Sequence, residues 1–271
     1  MKIEPTIKLS YVGPPKGFWE IPVLYEDEHM LALNKPAELL SCPDRFDPSR
    51  YNMMRLMHDA IAKGAPWAKQ RNLTYLANAH RLDFETTGVF LLAKTKATLV
   101  GLANLFGSEA PQRVYAALVR GTPSEDHFEI DEKLAPHPLK LGTMRVDSRN
   151  GKKSKTEFSV REKFSGYTLL ECRPITERMH QIRVHLEYVD LPVIGDKLYG
   201  GAQLLLSHLK SDYRLKGNKS ERPLISTIAL HAEKLTLPHP ITNEPLTIEA
   251  PWPKDMTVSM KYLHRYLKPG P

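Results

Sequence analysis

Two charged residues of this sequence stand where apolar segments begin or end, and both are candidates for chemistry. Asp83 closes the tetrapeptide HRLD at residues 80–83, which lies between two apolar runs. Arg178 comes just before an apolar segment with helical spacing. A charge at such a place is costly unless it is paired, so the two residues are suited to an ion pair within a functional site. Asp83 and Arg178 are therefore the first residues to which we assign a function.

Two other interpretations of the HRLD tetrapeptide remain open from the residues alone. In the simpler one, His80 and Asp83 only cap neighbouring backbone groups of a loop. In the other, they are part of a hydrolase triad, although the sequence has no serine in a Gly-x-Ser-x-Gly motif. A helical zinc pair is not indicated, because His180 and His185 do not have the i, i+4 spacing that such a pair needs.

The composition indicates a folded protein with a polyanionic partner. A chain of 271 residues with 41% hydrophobic content can bury one large core or two small ones. The net charge of +7 and the pI near 9.2 favour a phosphate backbone as partner, although a solvated basic surface gives the same numbers. Cys42 and Cys172 alone predict neither a disulfide framework nor a structural zinc site. No run resembles a signal peptide or the roughly 20 apolar residues of a membrane span, so we expect a cytoplasmic protein.

The spacing of apolar residues predicts an α+β fold with a mixed, largely antiparallel sheet flanked by helices. Residues 73–78 and 89–93 are predicted to be buried strands on either side of the Asp83 connection. Residues 155–161 and 167–173 alternate around a Ser-Gly turn, which is typical of an antiparallel hairpin. The other predicted elements are strands at residues 29–34, 113–119, 224–230 and 234–237, and helices at residues 51–63 and 97–106.

A further helix is predicted at residues 178–188, with Thr176 as its N-terminal cap. On this helix Arg178, Ile182 and His185 would lie at positions i, i+4 and i+7 and share one face. The sequence thus predicts a loop that carries Asp83 and a helix whose first turn carries Arg178.

Residues 80–94 (HRLDFETTGVFLLAK) closely resemble the signature of the RluA-type RNA pseudouridine synthases. Three further blocks agree with this family in order and spacing, as do the closing Leu-His-Ala and His-Pro motifs at residues 230–232 and 239–240. The three blocks are residues 21–36 (IPVLYEDEHMLALNKP), 113–121 (RVYAALVRG) and 176–200 (TERMHQIRVHLEYVDLPVIGDKLYG). Ordered blocks are far more specific than a single short motif.

The resemblance implies a pseudouridine synthase catalytic fold and an isomerase that needs no cofactor and no metal. In the implied reaction, uracil is released from its N1 bond to ribose, turned, and rejoined through C5. Asp83 is the implied nucleophile, adding at ribose C1′ or at uracil C6. Arg178 is implied to pair with Asp83 and to keep the carboxylate charged. Tyr115 corresponds to the active-site tyrosine, whose ring stacks on the base and whose hydroxyl approaches the C5 proton.

The resemblance also implies how the substrate is bound. Ile182 is expected to wall the uracil pocket, while His80 and Arg81 either shape the Asp83 loop or contact the RNA backbone. The partner is ribosomal or transfer RNA, from which the target nucleotide must be flipped out, and we expect a monomer without membrane association. Residues 207–222 are expected to form a surface loop that binds phosphate through Lys210, Arg214, Lys216 and Lys219.

The chain departs from the family pattern in three places. Thr87 replaces the usual serine and keeps a hydroxyl. Glu177 stands where the family has glycine, so it would be strained if that position needs positive φ, and we expect its carboxylate to point to solvent. We expect residues 1–20 to be an extended lead-in without room for an S4-like domain, residues 21–256 to be the catalytic domain, and residues 257–271 to be a tail. An RNA-binding or assembly protein that has lost turnover is the alternative function.

Overall fold

The computed structural model describes residues 5–11, 17–44, 47–214 and 220–267. The strands are β1 (Thr6–Tyr11), β2 (Gly17–Glu26), β3 (Met30–Lys35), β4 (Ala77–Asn78), β5 (Thr87–Ala93), β6 (Gln112–Arg120), β7 (His127–Asp131), β8 (Leu134–Pro136), β9 (Met144–Val146), β10 (Lys155–Phe164), β11 (Tyr167–Pro174), β12 (Leu230–Pro238) and β13 (Pro245–Glu249). The helices are α1 (Met53–Ala62), α2 (Pro66–Gln70), α3 (Lys96–Gly107), α4 (Gln181–Tyr188), α5 (Leu206–Leu209) and α6 (Lys254–Tyr266). The α+β fold class is thereby confirmed.

The chain forms two compact units, and the first comprises Met1–Gln112 and Ala232–Pro251. Its strands follow the order β1-β2-β3-β5-β12, with β4 paired to β5 and β13 paired to β12. Strand β3 is apolar on both faces, and its core partners come from β5, α3, β12 and β13. Asn52 and Thr95 cap α1 and α3, since each side chain accepts a hydrogen bond from a backbone N–H of the first turn. This unit carries the loop with Asp83.

The second unit comprises Arg113–His231 and Trp252–Pro271. Its strands follow the order β6-β11-β10-β7, each pair antiparallel, and β8 and β9 form a separate two-stranded hairpin. The core joins this sheet to α4 and α6, and Met256, Met260 and Leu263 of α6 are buried in it. Residues 257–266 therefore belong to a helix that packs on the core and not to a tail. Tyr115 and Ile182 belong to this unit.

Most of the predicted elements are confirmed, including the hairpin β10–β11, and two strands are wrong. Only Ala77–Asn78 of the predicted strand at residues 73–78 is a strand, and residues 224–229 are irregular. Several apolar side chains of both segments are nevertheless buried, among them Leu76 and Ile228. A short apolar run does not separate a buried loop from a buried strand. Residues 6–11 of the expected lead-in pair with β2 as a strand.

The lysine-rich stretch is only partly covered by the structure. Residues 206–209 form the short helix α5, and Lys210 lies 3.6 Å from the Asp212 carboxylate. Lys216 and Lys219 lie outside the described residues. Within the described ranges, no helix is long and apolar enough to cross a membrane.

Candidate active site

Asp83 lies in the connection between β4 and β5, as predicted, and its loop is held by several backbone contacts. The buried Ser41 hydroxyl donates to the Leu82 carbonyl oxygen (2.7 Å) and accepts from the Leu82 amide (3.0 Å). The Thr86 amide donates to the carbonyl oxygen of Asp83 (3.3 Å). Leu82 and Thr86 are buried on either side, whereas Asp83 is half-buried. The loop thus fixes the backbone of Asp83 and leaves its side chain partly accessible.

Lys35 is a fully buried cation beneath this loop, and the sequence reasoning missed it. Its Nζ donates to the carbonyl oxygens of Pro36 (2.8 Å), Phe84 (3.3 Å) and Thr86 (2.9 Å). An ammonium has three N–H groups, so these three acceptors use all of them. Burial lowers the pKa of Lys35 to about 7, and the charge of the Asp83 carboxylate opposes that shift. Lys35 therefore clamps the loop and, in its protonated form, provides a positive charge near Asp83.

Lys35→Met is expected to change how stability depends on pH. The unfolded chain keeps this proton up to a pKa of about 10.4, whereas the folded chain releases it near pH 7. Between these values the unfolded state holds more protons, so the contribution of Lys35 to the free energy of unfolding rises with pH, by up to about 1.4 kcal/mol per unit. Urea unfolding at about pH 6, 8 and 9.5 should show wild type gaining stability relative to the variant. Parallel curves across that range would contradict the assignment.

His80 fixes the start of the loop. Its Nε2 accepts a hydrogen bond from the Leu91 amide (3.0 Å), and its ring stacks on Phe106 with the centroids 5.2 Å apart. The ring also meets Phe90 edge-on. These contacts support the shaping role among the two roles expected for His80. The neighbouring Arg81 is exposed to solvent.

Gly88 explains why the HRLD block and the Leu-His-Ala motif occur together. Its φ is +114°, and a Cβ at this position would lie 2.1 Å from the backbone oxygen of Ala232. Strand β5, which follows the Asp83 loop, and strand β12, which contains the Leu-His-Ala motif, thus approach each other too closely here for any side chain.

The structure corrects the prediction for the segment around Arg178. Helix α4 begins at Gln181, and the residue before it, His180, has a left-handed backbone with φ of 55° and no side-chain cap. Thr176 is not the cap: its hydroxyl accepts from the Lys155 amide (3.0 Å) and donates to Gln181 Oε1 (2.9 Å). Because a left-handed residue interrupts the helix, Arg178 lies outside it and does not share a helix face with Ile182 and His185.

Glu177 does not meet the condition for strain, and its carboxylate is partly exposed, as expected, but is also paired with an arginine. Its φ is not positive. Its carboxylate accepts from Nη1 of Arg113 at 2.5 Å, and Arg113 also donates to the Ile175 carbonyl oxygen at 3.2 Å. Arg113 is buried, whereas the Glu177 side chain is 42% exposed. The family position of glycine is thus occupied by a glutamate whose charge is matched by a neighbouring arginine.

Arg178 keeps one edge of its guanidinium available. Its Nη1 donates to the carbonyl oxygen of Glu177 (2.8 Å). Its Nε is buried and has no hydrogen-bond partner in the part of the chain that the structure describes. A buried N–H without an acceptor is costly, so this edge is suited to a carboxylate or a substrate oxygen.

The Gly-Asp-x-x-Tyr-Gly block supports the same segment, which no sequence argument had shown. Asp196 accepts two hydrogen bonds from Arg183 of α4 (2.6 and 2.9 Å), and both side chains are buried. The Tyr199 hydroxyl is 2.7 Å from His180 Nδ1 and accepts from the Met144 amide (2.9 Å). These bonds hold α4 and the left-handed turn before it, and hence the backbone that carries Arg178.

Tyr115 and Ile182 lie on the predicted strand and helix, and their roles at the site stay predictions. Tyr115 is half-buried in β6, opposite Cys172 of β11, and packs against the core of the second unit. Ile182 is buried on α4 in the same core. The structure thus places His80, Arg81 and Asp83 in the first unit, and Tyr115, Arg178 and Ile182 in the second. The ion pair of Asp83 with Arg178 stays a prediction. Among the described residues, no three His, Cys, Asp or Glu side chains form a group that could hold a metal ion.

Comparison with known proteins gives consistent matches. The family described as RNA pseudouridylate synthase matches residues 29–188. Ribosomal large subunit pseudouridine synthase D of Xylella fastidiosa is 35% identical over 240 residues, which cover 87% of this chain and 67% of that protein. Dual-specificity RNA pseudouridine synthase RluA of Escherichia coli K12 is 30% identical over 88% of this chain and 96% of its own. The solved structure of Human RNA Pseudouridylate Synthase Domain Containing 4 superposes with a TM-score of 0.67 at 25% identity, covering 91% of this chain and 93% of its own.

The matched residues make up more than half of the chain and include Asp83, Tyr115 and Arg178. The resemblance seen in the sequence motifs is thereby confirmed, and the match extends over most of the length of both bacterial relatives. The chain therefore belongs to the RNA pseudouridylate synthase family as an RluA-type RNA pseudouridine synthase, which is an isomerase.

Proposed function

We propose that this enzyme isomerises specific uridines of ribosomal RNA, with transfer RNA as the other candidate substrate, and that Asp83 is its nucleophile. The 35% identity to a protein named as a ribosomal large subunit pseudouridine synthase carries the choice of RNA. The clamped loop, with a half-buried Asp83 above a buried lysine, supports the choice of nucleophile. We include in this proposal that the enzyme works as a cytoplasmic monomer.

The chemistry requires that a carboxylate forms a bond to the substrate and later leaves. Asp83 adds to ribose C1′ or to uracil C6, the N1–C1′ bond breaks, the base turns, and C5 bonds to C1′. The carboxylate is then released, C5 loses its proton and N1, freed from ribose, takes up a proton, so the product has the same atoms as the substrate. A nucleophile that must leave again benefits from a fixed backbone and a nearby cation, which Lys35 supplies through its contacts with the loop.

The residues of the second unit are proposed to hold the base. Tyr115 stacks on uracil, and its hydroxyl is suited to approach the C5 proton. Ile182 walls the pocket, and the Nε edge of Arg178 binds the Asp83 carboxylate. The target uridine must first leave its stack, and Arg81, exposed beside Asp83, is suited to contact the RNA backbone at that point.

The contacts of Glu177 argue against the alternative function, an RNA-binding protein without turnover. That alternative rested on Glu177, whose charge could have disturbed Arg178. Because Arg113 binds the Glu177 carboxylate, that carboxylate does not compete for the guanidinium of Arg178, which donates only to the backbone oxygen of Glu177. We therefore retain the catalytic function.

Purified protein should release tritium from [5-³H]uridine-labelled total RNA of cells that lack the gene. Mapping pseudouridine in cells with and without the gene should then show the loss of sites in large-subunit ribosomal RNA. Loss of sites in transfer RNA alone would contradict the ribosomal substrate but not the nucleophile. Release of no tritium, with folded protein and a known synthase active on the same RNA, would refute the proposed function.

A further inference from the structure

The hairpin β8–β9 ends in a tip, residues 137–143, that presents two leucines to solvent. Leu139 is 89% exposed and Leu141 is 79% exposed. Among the residues that the structure describes, these are the two most exposed large hydrophobic side chains. Exposing apolar side chains on a protruding element is unfavourable in water, so such a patch indicates a binding surface.

The tip is ordered by its own hydrogen bonds. Nδ1 of His137 accepts from the amides of Leu139 (3.1 Å) and Lys140 (3.0 Å). The amide and the hydroxyl of Thr143 both donate to the Lys140 carbonyl oxygen, at 3.1 and 2.7 Å. The leucines are thus held outward by a fixed backbone, which lowers the entropy cost of binding a partner there.

The charge around the tip selects the kind of partner. Residues 133–155 contain seven lysines and arginines and one carboxylate, Asp147, which Arg145 binds at 2.8 Å. The segment is thus cationic, although Asp131, Glu132 and Glu157 flank it and Lys155 is paired with Glu129 at 2.7 Å. Lys140 at the tip and Lys152 and Lys153 beside its base are exposed. An apolar pair within a cationic segment fits a polyanion that also offers apolar faces, which describes RNA with unstacked bases.

The base of the hairpin is tied to the segment that carries Arg178. Met144 donates its amide to Tyr199, which also bonds His180, two residues after Arg178. Leu134 and Met144 of the hairpin form one buried cluster with Val184 and Tyr199, and Met179 packs against it. RNA bound at the tip would therefore be held by the same packed element that positions Arg178.

We propose that the 137–143 tip is an RNA-binding element, in which Leu139 and Leu141 pack on unstacked bases near the target uridine. Lys140 and the exposed lysines at its base contact phosphates. This inference rests on the proposed function, because it takes the RNA substrate as the partner of the tip. It adds a base-contacting surface that neither the sequence motifs nor the lysine-rich stretch at residues 207–222 indicated.

The double variant Leu139→Ser with Leu141→Ser tests the apolar contact. Its KM for tritium release from labelled total RNA should rise about tenfold, as should the Kd measured by filter binding with Asp83→Asn added to prevent turnover. Both leucines are exposed, so thermal unfolding should not change. Ile241→Ser is the matched control, since Ile241 is 49% exposed on the other unit and should leave KM and Kd unchanged.

The pair Lys140→Gln with Lys152→Gln tests the phosphate contacts. It should reduce the slope of log Kd against log salt concentration by roughly 0.7 to 0.9 per lost contact.

If wild type releases tritium and the leucine variant matches it within twofold in KM and Kd, the tip does not bind RNA and this inference is wrong, while the proposed function stands. A leucine variant that instead changes only the sedimentation of the protein would assign the tip to protein contacts and equally overturn the inference. Absence of tritium release by wild type would refute the proposed function itself.

Discussion

Asp83→Asn should abolish tritium release from labelled RNA, with a fall of at least about 10³-fold, while RNA binding survives. The amide has the size and shape of the carboxylate but cannot act as a nucleophile, and loss of a nucleophile typically costs several orders of magnitude. Single-turnover release with enzyme in excess measures the chemical step, and filter binding measures the affinity. Asp59→Asn, on the exposed face of α1 in the same unit, is the matched control and should keep wild-type rates.

A second measurement separates lost chemistry from a disturbed loop. Removing the Asp83 charge takes away the interaction that opposes the lowering of the pKa of Lys35, so Lys35 becomes easier to deprotonate. The three carbonyl contacts of Lys35 do not involve the Asp83 side chain, and the loop should persist. Thermal unfolding close to that of wild type would therefore show that the loss is chemical. Tritium release near the wild-type rate would mean that another group is the nucleophile.

The parts of this site that could be predicted from the sequence are those carried by contiguous blocks. The Asp83 loop, β6 with Tyr115, and the hairpin β10–β11 each follow from local spacing and turn residues. The contacts that could not be predicted join distant positions: Lys35 with Thr86, and Arg113 with Glu177. No periodicity within one segment encodes such a contact.

The start of α4 shows a different limit. Thr176 followed by an apolar helical pattern is a good signal for an N-terminal cap, yet the helix starts five residues later. The hydroxyl of Thr176 is instead used by Lys155 and Gln181, and His180 adopts a left-handed conformation that is uncommon for residues other than glycine. Tertiary contacts, including the bond of His180 to Tyr199, compensate for that conformation. A local rule cannot foresee such compensation.

Arg178→Lys should reduce the turnover rate by about a hundredfold or more and leave the fold intact. The guanidinium donates to the Glu177 carbonyl oxygen through Nη1 and retains a separate, buried Nε–H. The Nε–H and the neighbouring Nη2–H form the other edge of the guanidinium, and these two donors can hold a carboxylate with parallel hydrogen bonds, which a single ammonium cannot reproduce. The control is Arg161→Lys in the same unit, where a partly exposed pair with Glu171 should tolerate the change without loss of rate. A rate for Arg178→Lys within threefold of wild type would mean that Arg178 contributes only charge.

Glu177→Gly completes this test, because it restores the family residue next to Arg178. The variant removes the carboxylate that binds the buried Arg113, which keeps its bond to the Ile175 carbonyl oxygen, so we expect a stability loss of about 1 to 3 kcal/mol. Because the backbone oxygen that binds Arg178 is retained, turnover should stay within a few-fold of wild type. That result would show that the Arg113–Glu177 pair compensates for the substitution. A hundredfold gain in turnover would show the opposite, namely that Glu177 suppresses Arg178 and that this chain has drifted toward a binding role.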